Sequence, residues 1–508
     1  MTDPRTTRRN GSGIRGFLSS PLAWDGVLAL VTALPALAFI SLFFPGRANV
    51  DIANQYRQAT GDIPFSDWHP PVMSAVWRML IGITGQAGSL FVLQVAMLAL
   101  ACWLIGVLVH RLGGSRLVSL AGPAIMATPW VVSQMTTMWK DTQMAVAILL
   151  AAVLLTITRF VPKTWILWLP ALVLLVYAFG LRKNALFAIV PIAVYFGYVI
   201  VKRLAGSSRV SDGGRLSRVT ARTGVATTVA SLLILVVLGA GVKATDVAIA
   251  SREDVKPTGQ LSQVFLDDVM FSVPNGELQD SDAPAALKKK ISTSRDKCLE
   301  MGEIWDAYWN CYGLGKTGKP FEPIAYQDEL KDLCLSEVIT HPLRYAEYRT
   351  AVFSYYFFSS KVEYWPAEWH GEALKAGIDD GSAKADYIVR PYVEDFALDT
   401  FPMLFKPWFW TLLAAIALGL AYRAHRRGGN AFDVPVQAWS LWPEITMLSA
   451  SALCYIFGYF PIVPASHFRY TFWPALAVTA ALALLLTTWR RDRAVATPRS
   501  SASSKSET

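Results

Sequence analysis

Long apolar runs separated by short polar connections dominate the sequence and predict a bundle of membrane-spanning helices. Several of these runs reach the ~20 residues that an α-helix needs to cross a bilayer. We place about ten spans near residues 22–44, 88–109, 115–133, 142–159, 164–181, 185–202, 224–244, 405–423, 437–461 and 472–489. The pattern therefore predicts an all-α polytopic membrane protein.

Two stretches between the apolar runs have a different pattern. Residues 71–85, PVMSAVWRMLIGITG, are too few to span and mix apolar side chains with Arg78. They predict an amphipathic helix that lies at the membrane interface within the first external loop. Residues 245–404 form one long polar segment, rich in acidic and aromatic residues, which is too long for a linker. We expect it to fold into helices and irregular structure on the outer face of the bundle.

Arginine and lysine are concentrated in every second connection, and this sets the expected orientation. Cytoplasmic loops of membrane proteins carry an excess of these residues. The enriched positions are Arg111, Arg116, Arg159, Lys163, Lys202, Arg203, Arg209, Arg215, Arg218, Arg222, Arg423, Arg426, Arg427, Arg490, Arg491 and Arg493. Both termini are therefore predicted to be cytoplasmic. The first run ends in FFPG and is too long for a signal peptide, so it is expected to remain as a helix.

This topology divides the chain into five parts and places it in the cell membrane. They are a basic cytoplasmic N-terminus (1–21), an N-terminal transmembrane module (22–244) with its first external loop (45–87), an extracytoplasmic segment (245–404), C-terminal transmembrane helices (405–489) and a disordered cytoplasmic tail (490–508).

Composition agrees with a bilayer environment and does not indicate nucleic acid as a partner. Only 17% of the residues are charged, where about 25% is usual for soluble domains. The net charge of +9 arises in the cytoplasmic connections. Cys298, Cys311 and Cys334 lie in the external segment without a CxxC motif, which argues against a structural zinc site. In an exported segment they predict one disulfide and one remaining thiol, with the pairing open.

Ionisable residues gather at the outward ends of the spans, where positive charge runs against the topological rule. Such residues at membrane depth commonly mark a substrate or ion path. The candidates are Asp51, Gln55, Asp67 and His69 in the first external loop, Lys140 and Asp141 in MWKD, Arg182 and Lys183 in GLRKN, and Arg469 in SHFRY.

These residue types suggest phosphate binding combined with acid–base chemistry. Arginine binds phosphate oxygens through a planar fork and lysine acts as a point charge. A carboxylate such as Asp51 suits the role of proton acceptor.

Each candidate also has a structural reading. Asp51 and Asp67 suit helix capping, and His69 suits a hydrogen bond to a backbone carbonyl. Lys140 and Asp141 suit a surface pair, and Arg469 suits snorkelling to lipid headgroups. Asp62 is expected to be a turn residue. Of the adjacent Arg182 and Lys183, one must face away from any common site, and Arg182 is preferred.

The motifs resemble those of the GT-C superfamily of integral-membrane glycosyltransferases. The likeness lies in a first helix ending in FFPG, then D-x-x-x-Q at residues 51–55, DWHPP, MWKD, LRKN and a late RY. It is nearest to the bacterial relatives of the protein O-mannosyltransferase and lipid A aminoarabinose transferase type. It covers residues 22–200, with a weaker echo at 463–475, and leaves 245–404 unmatched.

The resemblance implies transfer of a sugar from a polyprenyl-phosphate donor to an extracytoplasmic acceptor, usually with inversion. Asp51 is then expected to be the catalytic base, with Lys140, Arg182 and Arg469 on the lipid phosphate. Some relatives have an Asp-Glu pair, but here Ile52 follows Asp51. No cofactor is expected to be required. A divalent metal such as Mg²⁺ or Mn²⁺ remains open, with Asp51, Asp67 and His69 as its candidate ligands.

Three alternative functions stay open at the level of sequence. An O-antigen-type ligase or polymerase would place its essential residues in the large external segment, at His341, Arg344 or His370. A transporter or flippase for lipid-linked glycans would need ionisable residues near the membrane midplane. The interiors of the spans are almost free of charge, with Asp25 and Glu444 near the inner ends. A non-catalytic membrane scaffold is the third.

Overall fold

Helices supply the regular structure of the chain. The computed structural model describes residues 20–206, 216–259, 261–359, 371–379, 381, 384–427 and 440–496. Within these ranges no β-strand forms, and the β-type contacts are two isolated bridges, Arg47 with Thr137 and Ser66 with Lys256. The predicted all-α class is therefore confirmed.

The N-terminal module is described as a series of helices with one broken region between α4 and α8. Its helices are α1 (Pro21–Phe43), α2 (Val50–Thr60), α3 (Pro71–Thr84), α4 (Ser89–Arg111), α5 (Arg116–Ser119), α6 (Ala121–Ala124), α7 (Pro129–Met135), α8 (Lys140–Phe160), α9 (Trp168–Leu181), α10 (Ala185–Gly206) and α11 (Leu216–Ala250).

The remainder of the chain contains the external segment followed by the last long helices. The external helices are α12 (Ser262–Ser272), α13 (Asn275–Asp280), α14 (Ala285–Glu300), α15 (Gln327–Leu333), α16 (Pro342–Ser359), α17 (Gly371–Lys375) and α18 (Lys384–Arg390). They are followed by α19 (Pro407–Arg427), α20 (Trp442–Gly458) and α21 (Phe472–Ala496). Short 3₁₀ or π turns occupy Ile125–Ala127, Trp165–Leu167, Tyr308–Tyr312, Pro323–Tyr326, Cys334–Val338, Pro391–Leu398, Pro402–Phe405 and Phe468–Tyr470.

Five of the described helices are long and apolar enough to cross a membrane. They are α1, α4, α8, residues 185–204 of α10 and residues 223–250 of α11. Residues 116–127 and 129–135, bent by 43° at a break, make a sixth if they form one span. The helices at 165–181 and 472–487 are apolar but shorter. A multi-spanning helical membrane protein follows from these lengths, while the number of ten spans stays a prediction.

Helix α8 forms the centre of the bundle, and α1 and α11 lie at its edge. In their most apolar windows, 83% of α8 is buried within the protein but only 28% of α1 and 22% of α11. Helix α8 packs against α4, α9, α10 and α21. Apolar side chains such as Leu30, Leu34 and Val236 remain exposed on the two outer helices. Such surfaces suit lipid contact, because lipid tails are as apolar as leucine.

Residues 50–60, predicted as part of a loop, form the helix α2. The side chain of Asn49 accepts a hydrogen bond of 3.2 Å from the backbone N–H of Ile52, which caps the first turn. Gly61, at φ +92°, ends the helix in the left-handed conformation. Asp62 lies just beyond and accepts a hydrogen bond from Thr60, as expected of a turn residue. The cap places Asp51 in the first turn of α2.

Backbone contacts tie this region to the start of α8. The N–H of Arg47 donates to Thr136 O at 2.9 Å, and the N–H of Met138 donates to Arg47 O at 3.0 Å. Helix α3 forms where an interfacial helix is predicted, with Val72, Met73 and Trp77 buried and Met79 and Ile83 exposed. The first external loop is thus a packed structure that is bonded to the chain at the start of α8.

The external segment has a hydrophobic core of its own. Residues from α12, α14 and α15, including Leu266, Ile291 and Leu330, form it. Cys298 is bonded to Cys311, and Cys334 is a buried free thiol in the same core. One disulfide and one remaining thiol are what the sequence predicted. Residues 1–19, 497–508 and His370 lie outside the described residues, while α21 extends to Ala496, into the predicted tail.

Candidate active site

The candidate site lies at one end of the bundle, where the first external loop meets three later parts of the chain. It consists of Asp51 in the first turn of α2, His69 before α3, Lys140 at the start of α8, Arg182 after α9 and Arg469 before α21. The charges of Lys140, Arg182 and Arg469 act on the Asp51 carboxylate, and so does that of His69 when its ring is protonated. We call Lys140, Arg182 and Arg469 the cation cluster.

Asp51 is a partly buried carboxylate beside the cation cluster. Its side chain is 21% exposed, and its Oδ1 lies 3.8 Å from His69 Nε2. Burial acts to raise the pKa of Asp51, but His69 and the cation cluster outweigh burial and hold the pKa below its ordinary value. Asp51 is therefore an anion at neutral pH.

His69 is buried between Asp51 and Lys140. Its Nδ1 lies 3.4 Å from Lys140 Nζ. Burial, followed by the charge of Lys140, lowers the pKa of His69 to about 4, so the ring is neutral at pH 7. An ammonium group only donates hydrogen bonds, so Nδ1 accepts and the ring proton is assigned to Nε2, which faces Asp51. Because the ring is neutral and 3.8 Å is longer than a hydrogen bond, His69 and Asp51 do not form an ion pair.

Arg182 is fixed by three neighbours. Its Nη2 lies 2.8 Å from Asp141 Oδ1 and donates to the hydroxyl of Tyr459 at 3.1 Å. Its guanidinium lies 5.4 Å from the centroid of the Tyr470 ring. Asp141 is fully buried at the start of α8, directly after Lys140. Asp141 therefore anchors Arg182, and it belongs to the site through that arginine.

Arg469 is held on aromatic faces. Its guanidinium lies 4.3 Å from the centroid of Trp139 and 4.9 Å from that of Tyr470, within the range of cation–π attraction. Its Nη2 also donates to the Tyr470 hydroxyl at 2.9 Å. These contacts leave the positive charge intact while they restrict the side chain.

The structure places other predicted site residues outside this cluster. Lys183 pairs with Asp246 at 3.2 Å and its side chain is 54% exposed, so it faces away as expected of one of two adjacent residues. Asp67 Oδ1 accepts a 2.6 Å hydrogen bond from the N–H of Thr258, which ties the first loop to the chain after α11. Gln55 lies one turn after Asp51 on α2 and is buried, and its amide nitrogen has no hydrogen-bond partner among the residues that the structure describes.

Three aromatic residues that were not among the predicted site residues also belong to the site. Tryptophan and tyrosine near span ends fit an interfacial belt, but Trp139, Tyr459 and Tyr470 are buried against the arginines. These three residues therefore pack within the protein beside the arginines of the site. Their positions in the sequence held a signal, since Trp139 precedes Lys140 and Tyr470 follows Arg469.

The proposed metal ligands do not fit a divalent cation as they are arranged. Asp67 is bonded to Thr258, and the ammonium of Lys140 lies against His69. Among the residues that the structure describes, no three His, Cys, Asp or Glu side chains come together in a metal-binding group. The positive charge of the cation cluster around Asp51 would also repel a divalent metal ion.

The charges of the site add up to a net positive charge, which favours an anionic ligand. Three cations face two carboxylates, Asp51 and Asp141, and His69 is neutral. One net positive charge therefore remains, next to a free carboxylate that is able to accept a proton. Comparison of the chain with protein-family models, with curated proteins and with solved structures found no match.

Proposed function

We propose that the protein is a membrane glycosyltransferase that moves a sugar from a polyprenyl-phosphate donor to a hydroxyl group on the extracytoplasmic side. The observation that carries the proposal is an ionised carboxylate, Asp51, set beside a cation cluster at one end of the helix bundle. A base next to a phosphate-binding cluster is what displacement of a phosphate from a sugar needs.

In the proposed reaction the acceptor oxygen attacks the anomeric carbon of the donor sugar. Asp51 takes the proton of the attacking hydroxyl. The bond between the anomeric carbon and the phosphate oxygen breaks, and its electron pair leaves with polyprenyl phosphate. Attack opposite the leaving group inverts the anomeric carbon. The neutral His69, with its Nε2 3.8 Å from Asp51, does not neutralise the charge of the carboxylate.

The cation cluster stabilises the phosphate as its negative charge grows. Arg182 and Arg469 are held by Asp141, Tyr459, Tyr470 and Trp139, so their donors are in place before the reaction. Preorganised charge of this kind is usually the largest single term in catalysis. The candidate metal ligands Asp51, Asp67 and His69 are not arranged to bind one ion, and no step of the proposed reaction uses a metal.

Two further features support extracytoplasmic transfer from a lipid-linked donor. The Cys298–Cys311 disulfide suits an oxidising compartment, where such bonds persist. The exposed apolar faces of α1 and α11 suit a bilayer from which a polyprenyl chain would enter.

The experiment is a transfer assay with synthetic polyprenyl-phosphate sugars in membranes that contain the protein. Asp51→Asn is expected to lower transfer by at least ~100-fold, the usual contribution of a general base. Asp62→Asn, the same change at the turn after α2, is the matched control and should leave transfer near the wild-type rate. Full activity of Asp51→Asn at equal protein level would remove Asp51 from the role of base.

The alternative functions make different predictions for the same assay. For a ligase or polymerase, His341 and Arg344 should be essential. His341 is exposed, and Arg344 forms a two-point ion pair with Glu277 at 2.7 and 2.8 Å. For a transporter, Glu444 should carry the function, but it is paired with Arg159 at 2.6 Å and with the Tyr195 hydroxyl. Glycosyl transfer predicts that His341→Ala stays active.

A further inference from the structure

Arg469 lies in a connection that the external segment holds in place at several points. This connection, residues 461–471, joins α20 to α21. The bonds to it are Tyr345 OH to Pro461 O (3.3 Å), Arg349 Nη1 to Val463 O (3.2 Å), Asp306 N–H to Pro464 O (3.3 Å), Ser466 N–H to Asp306 Oδ1 (3.0 Å) and Tyr356 OH to Tyr470 O (3.2 Å).

Asp306 makes the most specific of these contacts. It is buried, and its N–H and its carboxylate bond to the connection on both sides of Ala465. Its φ of +61° is a conformation that residues other than glycine seldom adopt and that aspartate and asparagine tolerate best. Strained backbone of this kind persists where the surrounding structure determines it. The bonded Ser466 is three residues from Arg469.

Arg349 supports the same connection from a buried ion pair. Its Nε lies 2.7 Å from Asp268 Oδ1, and its Nη2 donates to Asp268 Oδ2 at 2.7 Å. This two-point geometry fixes the plane of the guanidinium and leaves Nη1 to donate to Val463 O.

The turn that contains Asp306 is also close enough to the proposed base for the two to interact electrostatically. Tyr308 follows two residues later, and burial together with the negative charge of Asp51 raises the pKa of the Tyr308 hydroxyl. One turn of the external segment thus bonds to the connection that carries Arg469 and lies within electrostatic range of Asp51.

We propose that the external segment is part of the catalytic machinery, with Asp306 and Arg349 as positioning residues that hold residues 461–471 so that Arg469 meets the donor phosphate. The inference rests on the proposed glycosyl transfer. It assigns a role to a segment that the sequence resemblance leaves unmatched, and it places that role in donor binding.

The test uses the full-length protein and the variants Asp306→Gly and Asp306→Asn. Glycine keeps the positive φ but removes the carboxylate, whereas asparagine keeps both an acceptor oxygen and tolerance of that φ. We expect Asp306→Gly to raise KM for the polyprenyl-phosphate sugar by about tenfold to about 100-fold, as misplacement of a binding group does. Asp306→Asn should restore wild-type KM. Asp282→Gly, a change at an exposed aspartate of the same segment, should have no effect.

Two further readouts separate positioning from general damage. The combination of Asp306→Gly with Arg469→Ala should be no worse than Arg469→Ala alone, because the effect acts through Arg469. Hydrogen exchange at residues 461–471 should rise in Asp306→Gly and not in Asp306→Asn, whether or not transfer is measured. Unchanged exchange there, or additive effects, would overturn the positioning role. Absence of transfer by the wild-type protein would contradict the proposed function instead.

Discussion

At the scale of single residues, the site separates neighbours in sequence into different roles. Arg182 reaches Asp141 and Tyr459 in the buried cluster, whereas Lys183 pairs with Asp246 at the surface. That one of the two faces away follows from the sequence, because adjacent residues of a short turn point in different directions. The sequence does not show that Arg182 bonds to Tyr459 and that Arg469 packs on Trp139. Both aromatic residues look like interfacial residues until their burial is known.

The adjacent pair supplies a prediction with its own control. Arg182→Gln should raise KM for the donor and reduce transfer by about 100-fold, because it removes one fixed charge from the phosphate and leaves Asp141 buried without its partner. Lys183→Gln should stay within about twofold of wild type, since its pair is exposed and contributes little. Steady-state kinetics of the two purified variants measure this. Equal loss in both would mean that general positive charge matters and the geometry does not.

At the scale of elements, the position of the base depends on how one helix begins. Asn49 caps α2, and Asp51 lies in the turn that this cap stabilises. The sequence predicts an external loop here because this polar stretch directly follows the first apolar run. The helix forms because capping residues lie at its two ends while Ile52 and Ala53 pack inward.

Removal of this cap should therefore weaken the site without touching its chemistry. Asn49→Ala is expected to cost about 1 kcal/mol of helix stability. It should lower kcat more than it changes donor binding, because the cation cluster is untouched while Asp51 becomes mobile. Asn49→Ser, which also caps, should behave like the wild type. A kcat for Asn49→Ala equal to that of the wild type would show that α2 is held by packing alone.

At the scale of the whole molecule, a membrane bundle and an external segment together form the proposed site. The helical class and the gathering of charge at one end of the spans are readable from the sequence, because hydropathy and the positions of Lys and Arg are local signals. The contact of Asp306 with Ser466 is not readable, because it joins residues from distant parts of the chain without any local pattern. The same holds for Arg349, whose charge is neutralised by Asp268 inside the external core.

The buried carboxylates of the external segment predict a pH dependence of stability. Burial raises the pKa of Asp267 to about 7 although the Tyr312 hydroxyl donates to it. The folded state therefore binds the proton more tightly than the unfolded chain does. The stability that Asp267 contributes by holding this proton is present below about pH 4 and is lost as the pH rises toward about 7.

The apparent Tm of the full-length protein in detergent should consequently fall between about pH 4 and about pH 7 and level off above that range. Asp267→Asn, which cannot ionise, should flatten this slope. A slope that is unchanged in the variant would mean that another group determines the pH dependence.

In the proposed reaction Asp51 acts as the base for the acceptor hydroxyl, while the cation cluster binds the phosphate of the donor. The most direct measurement is binding and single-turnover transfer of a labelled polyprenyl-phosphate sugar by purified wild-type and Asp51→Asn protein. We expect a similar Kd for both proteins and product formation at least ~100-fold slower in the variant. Transfer by Asp51→Asn at the wild-type rate, or no binding of the donor by the wild-type protein, would contradict the proposed reaction.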